Sequence, residues 1–144
     1  MSSSPIPAVI AVVIHEDRTL LVRRANPPDA GLWGFPGGKI EFGETVAEAV
    51  IRELLEETGI HAQARDIITT LDILVRDSSG AIERHYILIA VQCLWIAGEP
   101  VAGDDAPEAR WFDLAEVDSG RLPMSADVDV IARRAHAASK LRGV

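Results

Sequence analysis

Three glutamates hold the chemistry that this sequence can be read for. Glu53, Glu56 and Glu57 fall in the run Arg52-Glu53-Leu54-Leu55-Glu56-Glu57. On a helix, positions i, i+3 and i+4 project from one side. Carboxylates so spaced repel by roughly a few tenths of a kcal/mol per pair, a cost that vanishes when a divalent cation sits among them. Hard oxygen ligands suit Mg²⁺ or Mn²⁺ rather than a thiolate-preferring metal. Magnesium keeps several waters and takes phosphate oxygens as remaining ligands, so the cluster reads as a phosphate-handling platform.

Two neighbouring features support that platform. In Phe35-Pro36-Gly37-Gly38 the paired glycines remove side-chain bulk and let the backbone approach a ligand, so a carbonyl of Gly37 or Gly38 can complete a metal shell. Arg52 lies eight residues after Glu44, close to one face of the same helix, and a guanidinium there can pin carboxylates by a two-pronged contact. Glu48 with Arg52, taken alone, reads as an ordinary surface pair.

The elements that must position these residues follow from pattern. Residues 7–14 form a β-branched apolar run read as a buried strand, with a turn at Asp17-Arg18 and a returning strand over 19–24. Residues 26–38 hold three prolines and four glycines and read as a structured loop. From Glu44 to Thr58 there is neither Gly nor Pro. Val46, Val50 and Leu54 recur every four residues, flanked by Ala47 and Ile51, and Gly59 closes the helix. Extended segments over 64–76 and 82–97 flank a hairpin turn at residues 77–80. A short strand over 109–114 and a helix over 126–141, with Val128, Ile131, Ala135 and Ala138 inward, complete the chain. This order predicts an α/β (α+β) sandwich with a mixed sheet between helices, in one domain over 1–144 with a loose tail at 1–6.

The spacing Gly38, five residues, Glu44, seven residues, Arg52-Glu53-Leu54, one residue, Glu56-Glu57, one residue, Gly59-Ile60 resembles the Nudix box at every fixed place. The resemblance implies an α/β/α sandwich and a hydrolase of nucleoside diphosphates linked to another moiety. It implies Glu53, Glu56, Glu57 and the Gly38 carbonyl as ligands of Mg²⁺, or of Mn²⁺, with Arg52 and Glu44 orienting them. Glu53 is the first choice of general base; Asp104, Asp105 and Glu108 are later acids that family variation leaves open. Residues 35–41 and Arg23 resemble MutT-type enzymes that clean oxidised guanine nucleotides from the pool. Those read the base with a late asparagine, whereas the one asparagine here is Asn26. Residues 98–112 resemble small bacterial proteins grouped with ADP-ribose pyrophosphatases. ADP-ribose or a related compound is therefore the expected substrate, with a (d)NTP pyrophosphohydrolase or a non-catalytic nucleotide sensor as alternatives.

Composition sets limits on partners. Apolar residues make up 48% and charged ones 25%, as in globular chains. A net charge of −8 argues against a nucleic-acid polymer as partner. No apolar run approaches the ~20 residues that span a bilayer, and the start lacks the pattern of a secretory signal. Cys93, the single cysteine, reads as a buried inert thiol compatible with the cytoplasm. A homodimer is compatible with the resemblance and undecided by the sequence. Trp33, Phe35, Arg23 and Lys39 are the expected substrate contacts, with core packing an equal reading for the two aromatics. Trp95 and Trp111 read as core, His85-Tyr86 as a structural pair, and His15, His61 and His136 as surface residues.

Overall fold

The computed structural model describes residues 3–27, 29–103 and 106–141. β1 (Ile6–His15) and β2 (Arg18–Arg23) form an antiparallel hairpin in which His15 faces Arg18. Its two-residue turn is Glu16-Asp17, one position earlier than the sequence pattern predicts. Both residues hold left-handed backbone (φ 53° and 60°), the geometry that follows the strand twist in a tight hairpin. Ile6, assigned to the tail by sequence, already pairs with Tyr86.

The loop over 26–38 contains two short strands that periodicity cannot detect, β3 (Trp33–Gly34) and β4 (Gly37–Lys39). After α1 (Val46–Thr58) come β5 (His61–Arg76), β6 (Ile82–Ala97) and β7 (Glu108–Asp113). A short helix absent from the sequence reading, α2 (Leu114–Asp118), precedes α3 (Val128–Leu141). β1 runs parallel to β6 and antiparallel to its other partners, so the sheet is mixed, in the order β3-β2-β1-β6-β5 with β4 on β1 and β7 on β2.

Strand alternation in β1 explains the sandwich. Val9, Ala11 and Val13 point to one face and pack with Ala49, Val50 and Leu54 of α1. Val12 points to the other, where Ile131, Ala132 and Ala135 of α3 cover it with Phe112 and Val117. The fold is thus the predicted α+β sandwich. The buried stripe of α1 is Ala49, Val50, Leu54 and Thr58, while the expected flanking residues Ala47 and Ile51 face outward. Ala138 of α3 is likewise only partly buried.

One feature of β1 creates room for a site. Its free edge is shared: β4 pairs with Ala8, Val9 and Ile10, whereas β2 pairs with Ile14 and His15. The sheet therefore splits beside the middle of β1, and the segment around Pro36 bridges the split through Ala11 N–H donating to the Pro36 carbonyl at 2.8 Å.

Remaining polar residues mostly settle into structural roles. His15 stacks on Trp95, His136 meets Asp17, and His85 pairs with Asp72 rather than with Tyr86. Cys93 is buried, and desolvation pushes its thiol up to about 12.

Candidate active site

The first turn of α1 sets the frame. Thr45 caps the helix and Glu48 answers back to the Thr45 N–H, closing a capping box, so Glu48 is a cap residue and not the partner of Arg52. Gly59 ends the helix in left-handed conformation at φ 75°.

Between these ends Arg52 organises the acids. Its Nε and Nη2 donate to Glu44 Oε2 and Oε1 at 2.6 and 2.9 Å, a two-pronged contact. Nη1 donates to Glu53 Oε1 at 2.8 Å and reaches Glu56 Oε2 at 3.4 Å, and Nη2 also donates to the Lys39 carbonyl at 3.2 Å. Glu44 accepts a further bond from the Glu41 N–H at 3.0 Å. The Arg52 contact, with that backbone donor, lowers the Glu44 carboxyl to about 2. Glu53 moves the other way. Its side chain is only 15% exposed, and loss of hydration raises its proton affinity despite the Arg52 contact. Two carboxylates on one guanidinium are thus tuned apart.

The paired glycines have separate steric reasons. A Cβ on Gly37 would collide with the Val9 carbonyl oxygen, because β4 lies hard against β1. A Cβ on Gly38 would stand 2.5 Å from the Glu53 carboxyl carbon. Bare backbone is what allows the Gly38 segment to meet Glu53 at all. The Gly37 N–H also points to Glu57 Oε1 at 3.4 Å.

These groups border an open cleft of about 530 Å³, which Arg24, Asn26, Lys39 and Glu41 complete. Its donor set is carboxylate and backbone oxygen, the type that suits a hard divalent cation. Among the described residues no three acidic, histidine or cysteine side chains are already gathered as a metal cage.

Of the expected substrate contacts, Lys39 lines the cleft, but Arg23 does not. Strand alternation turns Arg23 away to Glu108, 2.6 Å from Nη1 to Oε1, and over the Trp33 ring. This ion pair also engages Glu108, one of the later acids. Asp104 and Asp105 lie outside the described residues. Trp33 is core, edge-on to Phe112. Phe35 is buried too, yet it lines a second cavity of about 310 Å³ together with Leu71, Tyr86, Leu88, Ser125 and Ile131. Arg24, Gly37, Gly38 and Lys39 border both spaces, so cleft and cavity are neighbours. Arg23 and Arg24 close a strand beside the site, so the sequence allows one of them to reach a phosphate while its neighbour points the other way, and in the structure it is Arg24 that lines the cleft. Tyr86 reads from sequence only as half of a structural pair with His85, and no sequence signal points to Ser125.

The sandwich and this acidic helix define a class of protein. A family model described as the NUDIX domain matches residues 4–134, and the chain belongs to the Nudix family. It is 41% identical over 110 residues to an ADP-ribose pyrophosphatase of Methanocaldococcus jannaschii, a match covering 76% of this chain and 63% of that protein's length. Among solved structures it resembles a MutT Nudix hydrolase from Burkholderia pseudomallei (TM-score 0.77, 28% identity, 92% of this chain and 98% of that one). It also resembles the Nudix domain of Shewanella oneidensis NrtR in complex with ADP ribose (TM-score 0.74, 25% identity, 95% and 90%).

Proposed function

We propose that this chain is a magnesium-dependent pyrophosphohydrolase acting on a nucleoside diphosphate linked to a second moiety, with ADP-ribose or a close relative as substrate. The observation that carries the reading is the grip of Arg52 on Glu44 and Glu53 beside the bare backbone of Gly38. Glu53, Glu56, Glu57 and the Gly38 carbonyl would hold Mg²⁺, with Mn²⁺ as a substitute of the same ligand class. When bound, the cation neutralises phosphate charge and reverses the sign of an acidic site.

The chain's own residues supply the rest. Arg52, itself fixed by Glu44, holds Glu53 in one orientation. Glu53 accepts the proton of the attacking water. Water attacks one phosphorus, the bond from that phosphorus to the bridging oxygen breaks, and the second phosphate leaves. Arg24 and Lys39 face the phosphates from the cleft, in place of Arg23, and the cavity walled by Phe35 and Tyr86 takes the nucleoside.

ADP-ribose is favoured by the name of the Methanocaldococcus relative and by the ligand of the NrtR domain. The likeness to a MutT hydrolase supports a second reading, a (d)NTP pyrophosphohydrolase. Against oxidised-guanine recognition, Asn26 lines the phosphate-facing cleft and not the nucleoside cavity.

Incubation with Mg²⁺ and a panel of ADP-ribose, nucleotide sugars, dinucleoside polyphosphates and (d)NTPs tests the reading. ADP-ribose should yield AMP and ribose 5-phosphate. Glu53→Gln should lower kcat by about 10²–10⁴-fold without lowering the melting temperature, and chelation should stop turnover while the fold persists. Release from (d)NTPs alone would select the second reading, and no turnover with intact metal binding would leave a nucleotide sensor.

A further inference from the structure

Ser125 carries a hydroxyl that the fold does not use. Its Oγ is shut off from solvent and has no hydrogen-bond partner. Leaving a buried hydroxyl unpaired is destabilising, and such groups call for an explanation. The backbone around it is firmly placed. The Ser125 N–H donates to the Trp33 carbonyl at 2.9 Å, and the Trp33 N–H donates to the Pro123 carbonyl at 2.9 Å. Ser125 is thereby pinned at the wall of the nucleoside cavity, just before α3.

Its position within that cavity is informative. A Cβ placed on Gly34 would lie 3.4 Å from Ser125 Oγ and 3.9 Å from Arg24 Cδ. Ser125 and Arg24 thus both lie beside Gly34, and Arg24 lines both the cleft assigned to the phosphates and the cavity. In a nucleotide the group one unit beyond the phosphates is the ribose, with the base farther on. The hydroxyl rests against Gly34, and pairing with a ligand in the cavity calls for rotation about χ1 to another staggered position. Because Oγ holds no bond, that rotation breaks none.

We infer that Ser125 is a specificity-determining residue that hydrogen-bonds a ribose hydroxyl of the substrate. This rests on the nucleotide reading above. A serine hydroxyl both donates and accepts, so it can pair with a sugar hydroxyl in either sense. Ribose diphosphate derivatives leave no orphan when they bind, whereas a deoxyribonucleotide lacking the paired hydroxyl leaves Ser125 unsatisfied.

Binding of AMP, 2′-deoxy-AMP and 3′-deoxy-AMP to the full chain with Mg²⁺, followed by calorimetry, tests this without requiring turnover. One of the two deoxy compounds should bind roughly three- to tenfold more weakly than AMP, the worth of one hydrogen bond. Ser125→Ala should abolish that difference while keeping the melting temperature at or above that of the parent, and Ser125→Thr should restore it. Equal affinity for all three nucleotides in the parent chain, or a preference that survives in Ser125→Ala, would overturn the assignment. No AMP binding at any site would overturn it too. A chain that binds AMP with the expected preference yet hydrolyses nothing would refute the hydrolase and leave Ser125 in place.

Discussion

The two faces of the central sheet solve different problems. Under α1 the chain builds a dense, pre-wired charge network: Arg52 touches Glu44, Glu53 and Glu56, and the backbone of β4 presses against Glu53. Under α3 it builds a cavity whose wall keeps one hydroxyl unpaired. The first side is wired before any ligand arrives, and the second leaves room. Chemistry needs fixed carboxylates, because a misplacement of about 1 Å costs on the order of 100-fold in rate. Recognition gains from groups that are satisfied only by the ligand.

Alanine at two glycines breaks this comparison most sharply. In Gly38→Ala the new methyl displaces the Glu53 carboxylate, so hydrolysis should fall about 100-fold, with only a small drop in melting temperature because the obstructed group is the end of a flexible side chain. Gly34→Ala places its methyl at ordinary contact distance from Ser125. There kcat should stay within about threefold and the change should fall on KM, since uniform binding rather than the chemical step is touched. Equal losses in the two variants would mean that the faces are not specialised as argued.

Acid should reveal the wiring more gently. Arg52 holds the folded Glu44 carboxyl at about 2 against an ordinary 4.5, so the stabilisation it brings is complete above the unfolded value. It is lost as pH falls through the folded one. The melting-temperature gap between the parent chain and Glu44→Gln should therefore be constant near neutrality and close between these two values. A gap that persists at the acid end would show that Glu44 acts by packing and not by charge.

Cys93 belongs to neither site, and its labelling leaves hydrolysis untouched. With its thiol pushed up to about 12, native protein should react with a disulfide reagent near about pH 8 at least a thousandfold more slowly than unfolded chain. Rapid labelling without unfolding would show that the α1-side core opens.

Much of the fold was legible because its cause is local. The β-branched apolar run of β1, the stretch free of Gly and Pro that forms α1 and the glycine at 59 each act within a few residues, and the structure keeps all three. The strands β3 and β4 were not legible, since two or three residues carry no period and exist only because β1 and β2 offer them edges. The helix α2 escaped for a similar reason: five residues hold little pattern, and Val117 is buried by its neighbours rather than by a periodic stripe.

What the sequence determined by itself is the acidic side. Glu44, Arg52, Glu53, Glu56 and Glu57 share one short stretch of chain, and helical geometry brings them together whatever else the protein does. Tertiary structure alone decided the rest. It chose Arg24 over Arg23, buried Trp33, joined Tyr86 to Ser125 across the cavity, and left one hydroxyl without a partner. Those outcomes depend on which strand edges pair and which way each residue then faces, and no spacing along the chain encodes contacts between segments so far apart.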